Sequence, residues 1–491
     1  MNDGLVPSSG MTRRSFALWS TLSVCSLAGV SGCLGGSDAD DKGRNAHRCP
    51  SWPKSSASPG APTWPVPFTG LRESLSLTNT WLFGAGTDRA VWLRDARSGR
   101  LIWRTPVGKG GSPDKVSQPH YPQLVVAKGQ VLFGGGTGDP TGEVVALCAA
   151  DGTEMWRRTL PGKQVSEIAR SGDVAVAATQ KSVFGLSAAT GEILWQTEVF
   201  QGRMIEAHGE TFILVHGNGD PFGATALDRK TGKVIWSENI RGANSVEFRV
   251  AGDLVHMVGS RVVEQGQDDG TTLFVPTRGE VRTVSTDTNR VQWARTLQPL
   301  DVDSSLVGNG FLYLPSGDRL LALHGDTGKA AWSIPLPEPE APTVMVLHDG
   351  LLIANFTIPI DGAYPVLGLD AKTGKERWRL KAESTYELIP GPPGAVLANA
   401  GSKVVAIDTT VGEVIWSAPM KGAVQIIAGD VVYAGNMEEL TAYDVTTGDL
   451  HRSRERTRLC HRSRERTRLC HRSRERTRLW DRQMGGARQV R

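Results

Sequence analysis

Asp228-Arg-Lys-Thr-Gly232-Lys-Val-Ile-Trp236, entered from the apolar run Ala224-Thr-Ala-Leu227, is the stretch from which the fold can be read. Similar units end at Trp103, Trp156, Trp195, Trp236, Trp293, Trp332, Trp378 and Trp416, which are eight of the fourteen tryptophans. Their spacings are 53, 39, 41, 57, 39, 46 and 38 residues. Four residues before each Trp stands Gly99, Gly152, Gly191, Gly232, Asn289, Gly328, Gly374 or Gly412. Gly and Asn are the residues that best tolerate a left-handed turn. Asp stands eight before the Trp at Asp95, Asp228, Asp370 and Asp408, where a short side-chain acceptor closes a turn. These carboxylates read as turn formers, not as ligands.

A period near 40 residues marks a repeat architecture. Runs such as Thr211-Phe-Ile-Leu-Val215 and Val431-Val-Tyr-Ala434 are β-branched and aromatic and are bounded by Gly, Asp and Asn, which is strand chemistry. The expectation is an all-β propeller of four-stranded antiparallel blades, with each Trp filling the wedge between neighbouring blades and donating its indole N–H there. Nine strand-pair units can be counted, near residues 81–95, 131–147, 172–187, 211–227, 253–285, 311–324, 350–369, 395–407 and 430–444. Eight are followed by a Trp strand. The ninth copy, from Thr441-Ala-Tyr-Asp444 to Gly448, carries Arg452 where its Trp would fall. Completing one blade from both chain ends predicts eight blades, with seven as the alternative.

The pattern A-x-D-x-x-T-G-x-x-x-W, matched by Ala226-Leu-Asp228…Thr231-Gly232…Trp236 and by Leu369-Asp370…Thr373-Gly374…Trp378, resembles the tryptophan-docking repeat of quinoprotein-type (PQQ-like) propellers. The resemblance covers residues 66–450. Among its enzymes it implies pyrroloquinoline quinone in the central channel, a Ca²⁺ site of carboxylate and amide ligands, a catalytic Asp and adjacent cysteines. The cysteines here are Cys25, Cys33, Cys49, Cys148, Cys460 and Cys470, with no adjacent pair. No metal-ligand spacing, nucleophile elbow or phosphate loop is placed after a strand. We therefore expect no catalytic, cofactor-binding or metal-binding residues and no cofactor. The expected role is that of a non-catalytic binding or assembly scaffold, as in the envelope propellers of the same resemblance. The alternative is a PQQ-dependent oxidoreductase of alcohols or sugars using pyrroloquinoline quinone with Ca²⁺. An oxidising compartment would permit a Cys49–Cys148 bridge.

The termini carry different information. Met11-Thr-Arg13-Arg14-Ser-Phe16 opens a basic region, followed by an apolar run that ends in Val30-Ser-Gly-Cys33. This layout is that of a signal peptide. Arg13 and Arg14 resemble a twin-arginine export signal, and Cys33 a lipid-attachment cysteine. Residues 1–33 are thus expected to direct export and anchoring to the outer face of the cell membrane. Residues 34–65, rich in Ser, Pro and Gly, are expected to form a tether; Trp52 and Trp64 lie in it, outside the repeat register. In the tail, His-Arg-Ser-Arg-Glu-Arg-Thr-Arg-Leu occurs three times without change, at 451–459, 461–469 and 471–479. Residues 451–491 hold a net +11, which leaves −7 on the first 450 residues of a chain whose total is +4. The overall basicity is therefore no argument for nucleic acid. The tail is expected to be disordered, and the partner is expected to be a cell-envelope protein or polymer. Three loops are where a binding face is expected, 108–123, 264–280 and Phe356–Tyr364, because long insertions in compact folds often carry function.

Overall fold

The computed structural model describes residues 66–67 and 75–450, apart from connecting segments of which 109–122 is the longest. The described residues form nine four-stranded antiparallel sheets. Blades 1 to 8 each run from inner to outer strand in chain order, over residues 75–106, 123–161, 167–198, 202–240, 245–297, 306–335, 344–382 and 387–419. Blade 9 takes three strands from Ala423–Ala428, Val431–Gly435 and Glu439–Asp444. Its outer strand is Val66–Pro67, with Val66 opposite Leu440 and Pro67 opposite Glu439. The propeller therefore has nine blades, not eight or seven. The lower count assumed that the first unit and the last Trp strand share one blade. In fact blade 1 has its own inner strand, Leu75–Thr78, and the Trp416 strand completes blade 8.

The core consists of the interfaces between blades. Nine apolar clusters are present, each drawn mainly from two consecutive blades. The last joins Leu75, Leu82 and Trp92 of blade 1 to Val431, Tyr433 and Leu440 of blade 9 and closes the circle. A central strand is covered on both faces, so it is apolar without alternation, as in Val174-Ala-Val-Ala-Ala178, buried throughout. Outer strands are covered on one side only. In Ile193–Glu198 the one fully buried residue is Trp195.

The Trp–Gly spacing has a direct steric basis. Gly232 has φ 67°, and its turn is tied by Asp228, whose Oδ1 accepts from the Thr231 amide at 2.8 Å and the Thr231 hydroxyl at 2.7 Å. The Trp195 ring of blade 3 lies on this glycine so closely that a Cβ would stand 2.4 Å from its Cε3. Its Nε1–H donates to the Arg229 carbonyl at 2.9 Å. The same bond runs from Trp103 to Ala149, Trp156 to Ala188, Trp293 to Gly325, Trp332 to Ala371, Trp378 to Thr409 and Trp416 to Val445. Trp236 is the exception, because its Nε1 is buried with no partner. Its receiving turn is the one that carries Asn289, at φ 54°, in place of Gly. A real Cβ stands there where the other turns leave room for the indole.

His256 lies in the interface between blades 5 and 6. It is fully buried, with Nδ1 2.8 Å from the Thr283 hydroxyl and Nε2 without a partner. Burial pushes its imidazole down to about 4.

These packing constraints set the outcome of two substitutions. Gly232→Ala adds a left-handed penalty of about 1–2 kcal/mol to a clash with Trp195, and lowers the thermal midpoint. Asn289→Gly admits Trp236 to the standard seat and raises the midpoint, the regained hydrogen bond contributing about 1 kcal/mol. A third expectation concerns pH. The His256 neutral form is favoured in the fold, so the unfolded chain binds more protons between its ordinary value and about 4. Stability is full above pH ~6.5 and falls as pH drops toward 4, by about 3 kcal/mol from this group. Melting His256→Met beside the wild type across that window should show a flatter acid limb.

Candidate functional face

Each blade has four strands, an even number, so the chain enters and leaves every blade at the same face. Turns between strands 1 and 2 and between strands 3 and 4 lie on one face of the propeller. Turns between strands 2 and 3, and the links from one blade to the next, lie on the other. The first face holds the tight glycine turns, among them Gly99, Gly152, Gly191, Gly232 and Gly328, all with positive φ. The second holds the strand ends that flank the longest connections: Pro106 and Gln123 of blades 1 and 2, Gly266 and Thr272 within blade 5, and Asn355 and Tyr364 within blade 7. The described ends of the three segments expected to bind thus lie on one face. Of the third, Phe356 is an anchor in the core between blades 6 and 7, 3 % exposed.

Blade 5 dominates this face. Its two central strands, Leu254–Gly266 and Thr272–Ser285, have 13 and 14 residues, against five to eight in the central strands of the other blades. The inner strand pairs with them only as far as Ser260, and the outer strand only as far as Gly279. Beyond that point the register shifts between Arg261 and Val262, and the ladder continues alone from Val262↔Pro276 to Gly266↔Thr272. The segment read from the sequence as an inserted loop is therefore a two-stranded hairpin with both edges unpaired among the described residues. Val263 on it is 46 % exposed.

At the root of the hairpin, Arg241, Arg261 and Arg278 line a cleft of about 60 Å³ with Gly242, Gly259 and Gly279. Arg261 Nε donates to the Gly242 carbonyl at 3.1 Å, and Arg278 Nη2 to the Thr296 hydroxyl at 2.9 Å. The nearby Glu280 is engaged by Arg282, 3.0 Å away, which also holds Glu238 at 3.1 Å. The hairpin thus rises from a basic collar. The proximity of Arg241 to Arg261 and Arg278 depends on the blade-to-blade link and has no local signal in the sequence.

Elsewhere the charged groups act as braces. Arg249 bridges to Glu247 at 2.8 Å and donates to the Ser305 carbonyl of the following segment at 2.9 Å. Burial pushes the Glu247 carboxyl up although Arg249 draws it down. Asp228, Asp370 and Asp408 hold their own turns. The Arg377 guanidinium and Thr373 hydroxyl hold the Asp370 carboxyl down near 2. Among the described residues no group of three or more His, Cys, Asp or Glu is placed to hold a metal ion. Cys148 is buried and disulfide-bonded, and the other five cysteines lie outside the described residues. Arg13, Arg14, Cys33, the 34–65 segment and the 451–491 tail also lie outside them.

The ladder geometry sets a separable test. Joining Arg261 to Arg278, which already face each other, through Asn-Gly removes residues 262–277 and supplies a two-residue hairpin turn. Because neither neighbouring strand pairs beyond Ser260 and Gly279, the truncated protein should melt within about 2 °C of the intact one, a shift below ~1 kcal/mol.

A model of the family described as outer membrane protein assembly factor BamB matches residues 87–334 and 361–469, well over half of the chain. BamB of Yersinia pestis is 24 % identical over 288 residues, covering 56 % of this chain and 69 % of that protein. BamB of Burkholderia pseudomallei is 24 % identical over 280 residues, covering 52 % and 67 %. Among solved structures, BamB from Moraxella catarrhalis superposes with a TM-score of 0.46 at 16 % identity, covering 78 % of this chain and 99 % of that one. The quinohemoprotein alcohol dehydrogenase of Comamonas testosteroni gives 0.47 at 14 %, covering 79 % and 76 %.

Proposed function

Because this chain belongs to the family described as outer membrane protein assembly factor BamB, we propose that it is an envelope scaffold that binds partner proteins without catalysing a reaction. The proposed site of binding is the long-loop face, and the blade 5 hairpin is its principal element. The observation that carries this reading is the ladder of residues 262–276, which offers two unpaired edges beyond the body of the blade. An extended segment of a partner can add to such an edge through main-chain hydrogen bonds. The collar of Arg241, Arg261 and Arg278 favours a partner with carboxylates flanking that segment. In this reading Arg13 and Arg14 direct export, Cys33 carries the lipid that holds the protein on the outer face of the cell membrane, and no cofactor takes part.

A photocrosslinking residue at position 263 in intact cells tests the proposal, with Lys230 on the opposite face as control. Adducts with an envelope protein are expected from 263 and not from 230. Equal yields from the two positions, or none from 263, would refute the assignment of the face. Titration of the purified protein with pyrroloquinoline quinone and Ca²⁺ should leave the thermal midpoint in place; a saturable rise would overturn the non-catalytic reading.

A further inference from the structure

The cleft at the root of the blade 5 hairpin has a charge pattern that packing does not require. Arg261 and Arg278 are register partners on the two central strands, so their side chains leave the same face of the sheet. Like charges in directly opposite positions are destabilising. Arg241, in the link leaving blade 4, lines the same cleft and adds a third guanidinium. Among the described residues none of the three is in ion-pair contact with a carboxylate. The side chains of Arg261 and Arg278 donate only to the Gly242 carbonyl and the Thr296 hydroxyl. The cleft is also shaped. The register shift of the ladder falls at this pair, and a bulge of this kind re-aims the side chains beside it. The extra residue, Thr277, is tied back by its hydroxyl, which donates to the Arg261 carbonyl at 3.2 Å. Gly242 has φ 71°, and a Cβ there would stand 2.3 Å from Arg261 Nη2. Glycine at this position lets the guanidinium lie along the link, with its Nε on the Gly242 carbonyl and its terminal nitrogens without a bond among the described residues.

We infer that this cleft binds one phosphate group, a tetrahedral oxyanion with close to two negative charges at neutral pH. The charge balance carries the choice of ligand. Glu280 also lines the cleft, but Arg282 holds it at 3.0 Å and holds Glu238 at 3.1 Å. Four guanidiniums against two carboxylates leave two positive charges around a space of about 60 Å³. A dianion offsets that excess and relieves the repulsion between Arg261 and Arg278. A single carboxylate offsets half of it. Guanidinium groups match phosphate oxygens through paired N–H donors. Free phosphate and the phosphomonoester headgroup of a lipid offer the same chemistry. The site does not depend on the scaffold reading. Where both hold, the carboxylates of a partner compete with phosphate for the same arginines.

Isothermal titration calorimetry of the intact protein with inorganic phosphate, at an ionic strength fixed with sodium chloride, tests this. Saturable one-to-one binding is expected, with sulfate binding comparably and acetate about tenfold more weakly. Arg261→Gln and Arg278→Gln should each weaken phosphate binding about tenfold, and Lys230→Gln, on the opposite face, should leave it unchanged. In chloride alone both cleft variants should melt at or above the wild type, because each removes one of two facing like charges. Absence of saturable binding, undiminished binding by the Arg261→Gln/Arg278→Gln double variant, or acetate binding as tightly as phosphate would overturn the assignment. Sedimentation with phosphatidylcholine vesicles, with and without phosphatidic acid, separates the sources. Retention on the acidic vesicles that the double variant loses assigns a lipid headgroup. Phosphate binding without retention assigns the free ion or a soluble ester.

Discussion

The whole propeller depends on one contact, an indole lying on a left-handed glycine of the next blade. The contact makes two demands on one position. The backbone there must take a positive φ, and nothing may project from the Cα toward the ring. The first demand alone can be met by Asn; both together require Gly. Asn289 meets the first and fails the second, and its partner Trp236 is the buried docking indole left without an acceptor. Where an Asp caps the turn, as at Asp228, Asp370 and Asp408, it is a subsidiary part of the same device, because it fixes the loop whose carbonyl receives an indole N–H. The conserved geometry around Asp228, Asp370 and Asp408 is thus accounted for by mechanical necessity.

This coupling explains what was legible in the chain. A ring, a glycine and a carboxylate at intervals of four residues are local, so the turns and the strands around them could be read directly. The nine strand-pair units were also visible. The blade number was not, because it rests on Val66–Pro67, a strand of two residues. With prolines at 65 and 67 it shows none of the β-branched pattern of the others. The second proline is tolerated there because an outer strand needs no amide on its free edge. The hairpin of blade 5 was visible as excess length, with Gln267-Asp-Asp-Gly270 as its turn signal. Its projection was not, because where pairing stops depends on the two neighbouring strands. The arginine collar was beyond reach for a similar reason, since Arg241 lies in the link leaving blade 4 and Arg261 and Arg278 on the central strands of blade 5.

The even strand count divides the molecule into two unlike faces. On one, seven blades contribute a turn whose carbonyl accepts the indole N–H of the preceding blade's Trp, and an insertion there would unseat an indole. On the other, the connections answer to no such contact and can lengthen freely. The 13- and 14-residue strands of blade 5 extend on that second face for this reason. Parity also fixes the entry of the chain. Val66–Pro67 occupies the place of a fourth strand and runs antiparallel to Glu439–Asp444. Every fourth strand starts at the tight-turn face and ends at the long-loop face. The outer strand of blade 9 therefore starts at the tight-turn face and ends at the face that carries the blade 5 hairpin.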